Sequence, residues 1–262
     1  MRPASRAVLR RTAPGRTVLG RTVLRRTAFG AVAAVALMAA GCGDDDGTGA
    51  EPIGAPVTAN PEAPGTPILG DDALAATLLD VADLPPGFVA QPDPVADLGL
   101  DPEPGPDDSR TDPAQCGDVL APLDRQSDPE SAAARAFTGP GFTSIDQDSA
   151  SYGDSAAAAD AFAAVQRTLA ECSEYSGTDA DGYSIEYRVG AGEDVAVPGD
   201  PAPPSATVRV ESTSEGITLY SDAVLVAVGP TLTQVVVTGT EPADSGEVTD
   251  LVDAAVARLD AP

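Results

Sequence analysis

Tyr183-Ser-Ile-Glu-Tyr-Arg-Val189 decides how this chain folds. Tyr183, Ile185, Tyr187 and Val189 alternate with Ser184, Glu186 and Arg188. A period of two marks a strand with one buried face. The pattern returns at 206–212, where Val208 and Val210 alternate with Thr207, Arg209 and Glu211. It continues through 217–228 and 231–239, with an irregularity expected near Ser221–Ala223, where the alternation slips. A Pro-rich loop, 198–204, separates two of these strands, and the other connections are short. Weaker strand patterns lie at 134–138 and 142–152. Consecutive strands with short connections favour an antiparallel sheet.

The flanking sequence changes period. From about Ser155 to Glu174, behind Asp154 or Ser155 as cap, Phe162, Val165, Leu169 and Cys172 recur along one helical stripe. Asp244 and Glu247 form a capping-box pair opening a last helix to about Leu259, with Val248, Leu251, Val252, Ala255 and Leu259 on one side. Earlier, Asp71 or Asp72 caps a short helix through about Val81 carrying Leu74 and Leu78, stopped by Leu84-Pro-Pro-Gly-Phe88. A Pro- and Asp-rich loop spans roughly 91–113. A short helix then places Cys116, Val119, Leu120 and Leu123 on one face. The fold class is therefore α+β: an antiparallel β-sheet covered on one face by two main helices, in a single disulfide-stapled domain.

Charge is sorted by position. All 15 basic residues are Arg; eight precede Cys42 and no acid does. Seven Arg against 41 acids leave the segment from Cys42 onward at net −34. Such a field repels nucleic acid, and no nucleic-acid partner is expected.

The Arg-rich start leads into an apolar run, Ala28 to Ala40, and then Gly41-Cys42. Thirteen helical residues rise about 20 Å, short of a hydrocarbon core of roughly 30 Å. A positive start, a short apolar core and small residues before a cut site make a signal peptide. Leu37-Met-Ala-Ala-Gly41-Cys42 resembles the lipobox of bacterial lipoproteins, departing from it at Ala39, where Leu is commonest. The resemblance implies a diacylglyceryl group on the Cys42 sulfur and removal of residues 1–41. Two acyl chains hold a protein stably on a membrane. Arg25-Arg26-Thr-Ala-Phe29 weakly resembles a twin-arginine export signal, and the export route stays open. Residues 42–71 are Gly-, Asp-, Ala- and Pro-rich, and are expected to form a flexible acidic linker.

With Cys42 assigned to lipid, Cys116 and Cys172 remain. Outside the cytoplasm a buried pair on two helix stripes should oxidise to a structural disulfide. Neither has a CxxC spacing or a basic neighbour that would suit a redox thiol.

No His and no Lys exclude Ser-His-Asp, Cys-His and Ser-Lys catalysis and remove the commonest zinc ligand. Paired carboxylates could hydrolyse glycosides, yet no pair stands out among 41 acids, and no Trp offers a sugar platform. Asp179-Ala-Asp181-Gly182 echoes part of a calcium loop, but Gly177 and Arg188 fall where ligands belong, so a turn is expected. Gly190-Ala-Gly192 is a strand end without a following helix. Neither catalytic residues nor metal or cofactor sites are expected.

Residues 72–260 resemble the extracellular sensor-domain family of the actinobacterial receptor kinase PknH, also found in stand-alone lipoproteins. The resembling pieces are Leu78-Leu-Asp-Val-Ala-Asp-Leu-Pro-Pro-Gly-Phe88, Tyr152-Gly-Asp-Ser-Ala-Ala and Leu169-Ala-Glu-Cys172, with Val235-Val-Val and the helix at 248–259. One cysteine pair stands where that family typically carries two. The resemblance implies a sensor-type domain over 72–262 that binds an unknown small-molecule or envelope ligand outside the cell. The expected protein is a non-enzymatic lipoprotein on the extracytoplasmic face of the cell membrane. Two other readings stay open: a lipid carrier with an apolar cavity of roughly 1,000 Å³ or more, and a passive envelope protein making protein contacts. The oligomeric state is also open.

Overall fold

The computed structural model describes residues 53, 67–92 and 109–260. Nine strands form one sheet: β1 (Val89–Ala90), β2 (Arg110–Asp112), β3 (Ser131–Thr138), β4 (Ser144–Ser151), β5 (Glu174–Thr178), β6 (Ser184–Ala191), β7 (Ser205–Ser214), β8 (Ile217–Val228) and β9 (Thr231–Gly239). Their order is β1-β3-β4-β9-β8-β7-β6-β5-β2, and every neighbouring pair is antiparallel. The helices are α1 (Asp71–Ala76), α2 (Leu123–Gln126), α3 (Ser155–Glu171) and α4 (Ser245–Asp260), with short 3₁₀ turns between. This is the expected α+β domain with an antiparallel sheet.

The two long helices, however, lie on opposite faces, not on one. Ala223, Leu225 and Ala227 of β8, with Leu232 and Val236 of β9, pack with Phe162, Val165 and Leu169 of α3. The alternate residues Val224, Val226, Val235 and Val237 pack with Val248, Leu251, Val252 and Val256 of α4. Central strands covered on both faces read as continuous apolar runs, so alternation cannot reveal the second layer. The same fact removes the irregularity expected at Ser221–Ala223. There the register runs unbroken, Ser221 to Thr238, Asp222 to Val237 and Ala223 to Val236. Asp222 stands in the α4 face as a buried acid facing Arg209.

α3 begins where Asp154 accepts from the Ala157 N–H at 2.8 Å, and α4 where Asp244 accepts from Gly246 and Glu247. Each side chain satisfies backbone donors that the first helical turn leaves free. Other boundaries differ from expectation. α1 starts after Gly70 without a side-chain cap and ends at Ala76, while Val81 is largely exposed in a separate turn. Leu120 takes a left-handed φ of 55°, which splits the expected Cys116–Leu123 helix into a 3₁₀ turn and α2. α3 ends three residues early, and Glu174–Thr178 forms strand β5, which no pattern announced.

Inside the expected linker, Ile53 is 5 % exposed and belongs to the α3-side core. Its carbonyl accepts from Gln166 Nε2 on α3 at 3.1 Å. The Leu69 N–H donates to Ser151 Oγ at 3.1 Å, so packing also reaches back past residue 71. No helix among the described residues is long and apolar enough to cross a membrane.

Candidate functional site

Cys116 and Cys172 are joined in a disulfide with a Cα–Cα distance of 5.6 Å. It ties the 3₁₀ turn beside β2 to the C-terminal end of α3. Cys42, the expected lipidation site, lies outside the described residues, as do residues 1–41.

The bond brackets the start of β5, and β5 with β2, β6 and β7 carries a groove of about 600 Å³. Antiparallel pairing builds its lining in rows. Asp112 pairs with Ser176, Ser176 with Glu186 and Glu186 with Thr213. Alongside, Glu174 pairs with Arg188 and Arg188 with Glu211. Residues two apart on a strand share a face, so both rows rise from one side of the sheet. Register places that side in common with α4, which packs chiefly on β8 and β9.

The groove holds four carboxylates and one guanidinium. Arg188 Nε lies 4.0 Å from Glu174 Oε1, and both side chains are more than 70 % exposed. An exposed pair at that separation contributes little to stability, which leaves both groups able to reorganise around a solute. Among the lining residues there is no imidazole, amine or thiol to act as nucleophile or base. Four carboxylates against one guanidinium favour cations over anions in the groove.

A second cavity, about 270 Å³, lies between α2 and strands β3 and β4. In its wall Asp148 accepts from the Leu123 N–H at 2.7 Å and from Gln234 Nε2 at 3.1 Å. The Asp148 carboxyl is pushed up to about 7, chiefly by burial and with help from the charges of Asp124 and Asp146, against the lowering by its two hydrogen bonds. Sequence reasoning missed this residue. A polar run, Asp146-Gln-Asp148, inside a strand was the available signal. On the opposite face of β4, Gln147 accepts from the Leu79 N–H at 2.6 Å and donates to Thr233, so the whole run is structurally bound.

Both cavities are lined by charged groups, and two packed apolar layers fill the space on either side of the central strands. Neither cavity supports the lipid-carrier reading. The Asp179–Gly182 segment forms the expected turn: Asp179 Oδ1 accepts from the N–H groups of Asp181 and Tyr183, and Gly182 takes φ 89°.

Comparison with known proteins gives only distant likenesses. No family model matches the chain, and neither does any curated protein. Among solved structures, the chain is similar to the extracellular domain of PknH from Mycobacterium tuberculosis, with 14 % identity and a TM-score of 0.49 over 74 % of this chain and 100 % of that one. It is also similar to an uncharacterized Rv0999 ortholog from Mycobacterium smegmatis, with 16 % identity and a TM-score of 0.40 over 73 % and 98 %. No ligand, partner or activity follows for this chain from likeness at that level.

Proposed function

We propose that the chain is an extracytoplasmic lipoprotein, held on the cell membrane through acylated Cys42. Residues 72–262 then form a non-catalytic, sensor-like domain that binds a polar, cationic small molecule in the outer-strand groove. The observation that carries the ligand reading is the groove lining itself: Asp112, Glu174, Glu186 and Glu211 around the single Arg188. Register fixes the backbone positions of these carboxylates on neighbouring strands, so one multivalent cation can meet several of them at once. The buried disulfide supports residence in an oxidising compartment.

Isothermal titration of the purified chain with spermidine tests the groove. Binding is expected in the parent, at least tenfold weaker in Glu186→Gln/Glu211→Gln, and weakened by salt. Equal affinity in parent and variant would remove the groove from the reading. The anchor is tested separately by intact-mass measurement of membrane-extracted protein. Loss of residues 1–41 with a diacylglyceryl gain on Cys42 is expected.

A further inference from the structure

On the α3 side of the sheet, the strands outrun their helix. Residues 223–227 of β8 are buried, while Ile217 is 66 % exposed and Leu219 half-buried. The odd-numbered set of β6 behaves alike: Val189 is buried, Tyr187 and Ile185 are half-buried, and Tyr183, just before the strand, is 50 % exposed. Register brings the two sets together. Tyr187 pairs with Ser212, which pairs with Leu219, and Tyr187 also stacks on Tyr175 with ring centroids 4.5 Å apart. Ser214 pairs with Ile217, and its hydroxyl donates to the carbonyl of Ser184, next to Tyr183. Tyr175, Tyr183, Ile185, Tyr187, Ile217 and Leu219 thus make one apolar surface at the hairpin end of the sheet.

The strand and hairpin charges around it are one-sided. The two hairpin tips bounding it carry Asp179, Asp181 and Glu215. All four strand arginines among the described residues lie on the other face. Arg209 faces Asp222, Arg188 pairs with Glu211, Arg110 pairs with Thr178 in the Glu174 set, and Arg135 follows Phe137 of the α4-side core. The tips are also fixed in shape: Asp179 holds one turn through two backbone N–H groups, and Glu215 and Gly216 hold the other in left-handed conformations.

We infer that this surface is a docking site for a protein segment with an apolar ridge flanked by Lys or Arg. Large exposed apolar patches rimmed by polar groups mark interaction sites, and stacked Tyr rings supply rigid contact area at low entropic cost. Charge selects the occupant. A second copy would bring one acidic rim against another, with net −34 from Cys42 onward on each chain. An anionic bilayer surface would face the same three carboxylates, like charge against like. A basic rim satisfies both the apolar surface and its border. The carboxylate rows of the groove rise from the opposite face, while Tyr175 and Tyr187 border both, so the test is read at Tyr183 and Ile217, which do not line the groove.

The chain has no Trp, so Tyr183→Trp places a lone fluorophore at the site. The full chain carrying it is titrated with an alternating Leu/Lys peptide, an alternating Leu/Glu peptide and phosphatidylcholine vesicles. Saturable blue-shifted emission with the Leu/Lys peptide alone is expected, with affinity falling at least tenfold in Ile217→Ser. Should that variant lose its circular dichroism, Ile217→Thr keeps strand propensity and is expected to weaken binding about threefold. Three results overturn the inference: no blue shift with Leu/Lys, an equal one with Leu/Glu or vesicles, or affinity unaltered by the Ile217 substitutions. A blue shift that grows with protein concentration alone would assign the surface to a second copy instead.

Discussion

At Asp148 a carboxyl group inside the sheet makes part of the fold depend on a proton. Its ordinary value of 3.8 is raised to about 7, chiefly by burial. Between those values the folded chain holds a proton that the unfolded chain has released, so stability falls as pH rises from about 4 to 7 and this contribution levels off above. Asp148→Asn keeps an acceptor for Leu123 and a partner for Gln234 without the charge. Chemical denaturation of the variant is expected to show a flatter profile over that window. The gain at pH 8 should be on the order of a few kcal/mol, since each tenfold change in proton affinity corresponds to about 1.4 kcal/mol. Asp222 is buried beside a guanidinium. It accepts from Arg209 Nε at 2.6 Å and from the Ala243 N–H at 2.9 Å, which fixes the entry to α4. Asp222→Ala leaves a half-buried guanidinium and a backbone donor without that partner, and should cost about 3 kcal/mol in urea unfolding. A loss under 1 kcal/mol would show that water replaces the carboxylate at no penalty.

Elements carry their stability through what they cover. Phe162 is fully buried between α3 and the sheet, and Phe162→Ala should cost roughly 3–5 kcal/mol through lost apolar transfer and the cavity left behind. The Cys116–Cys172 bond closes a separation of 56 residues. Reduction should lower stability by about 4 kcal/mol in the chain-entropy model, read as the change in urea midpoint with and without dithiothreitol. These same elements show how much of the fold was legible. The α3 stripe, the α4 stripe and strands 217–228 and 231–239 stood in the sequence because each has a regular period and a long run. The placement of the helices did not, because Val224 beside Leu225 records burial on both faces without saying which helix covers which. Leu120 in a left-handed turn and the five residues of β5 were invisible for another reason: both are imposed by neighbours, β5 by pairing with β6 and β2. For the groove, Glu186 and Arg188 were readable as an exposed face, but their rows with Glu174, Glu211 and Asp112 exist only through register.

For the whole molecule, the decisive question is where along the chain the packed domain begins. Composition sets that boundary near residue 71, since 43–70 offers almost nothing large and apolar to bury. Ile53 contradicts it at one point, with its side chain in the α3-side core and its carbonyl held by Gln166. A fully buried Ile stabilises by roughly 1.5–3 kcal/mol relative to exposure, which is comparable to the entropy of fixing one or two backbone residues. The clip is therefore weak and local, and can open while the domain stays folded. Ile53→Ser should leave the unfolding midpoint of the sheet within about 1 kcal/mol while amide exchange at residue 53 accelerates at least tenfold. Gln166→Ala should accelerate it less, because only the hydrogen bond to the Ile53 carbonyl is lost. Cooperative loss of the whole domain in Ile53→Ser would show instead that residue 53 belongs to the core as fully as Phe162 does.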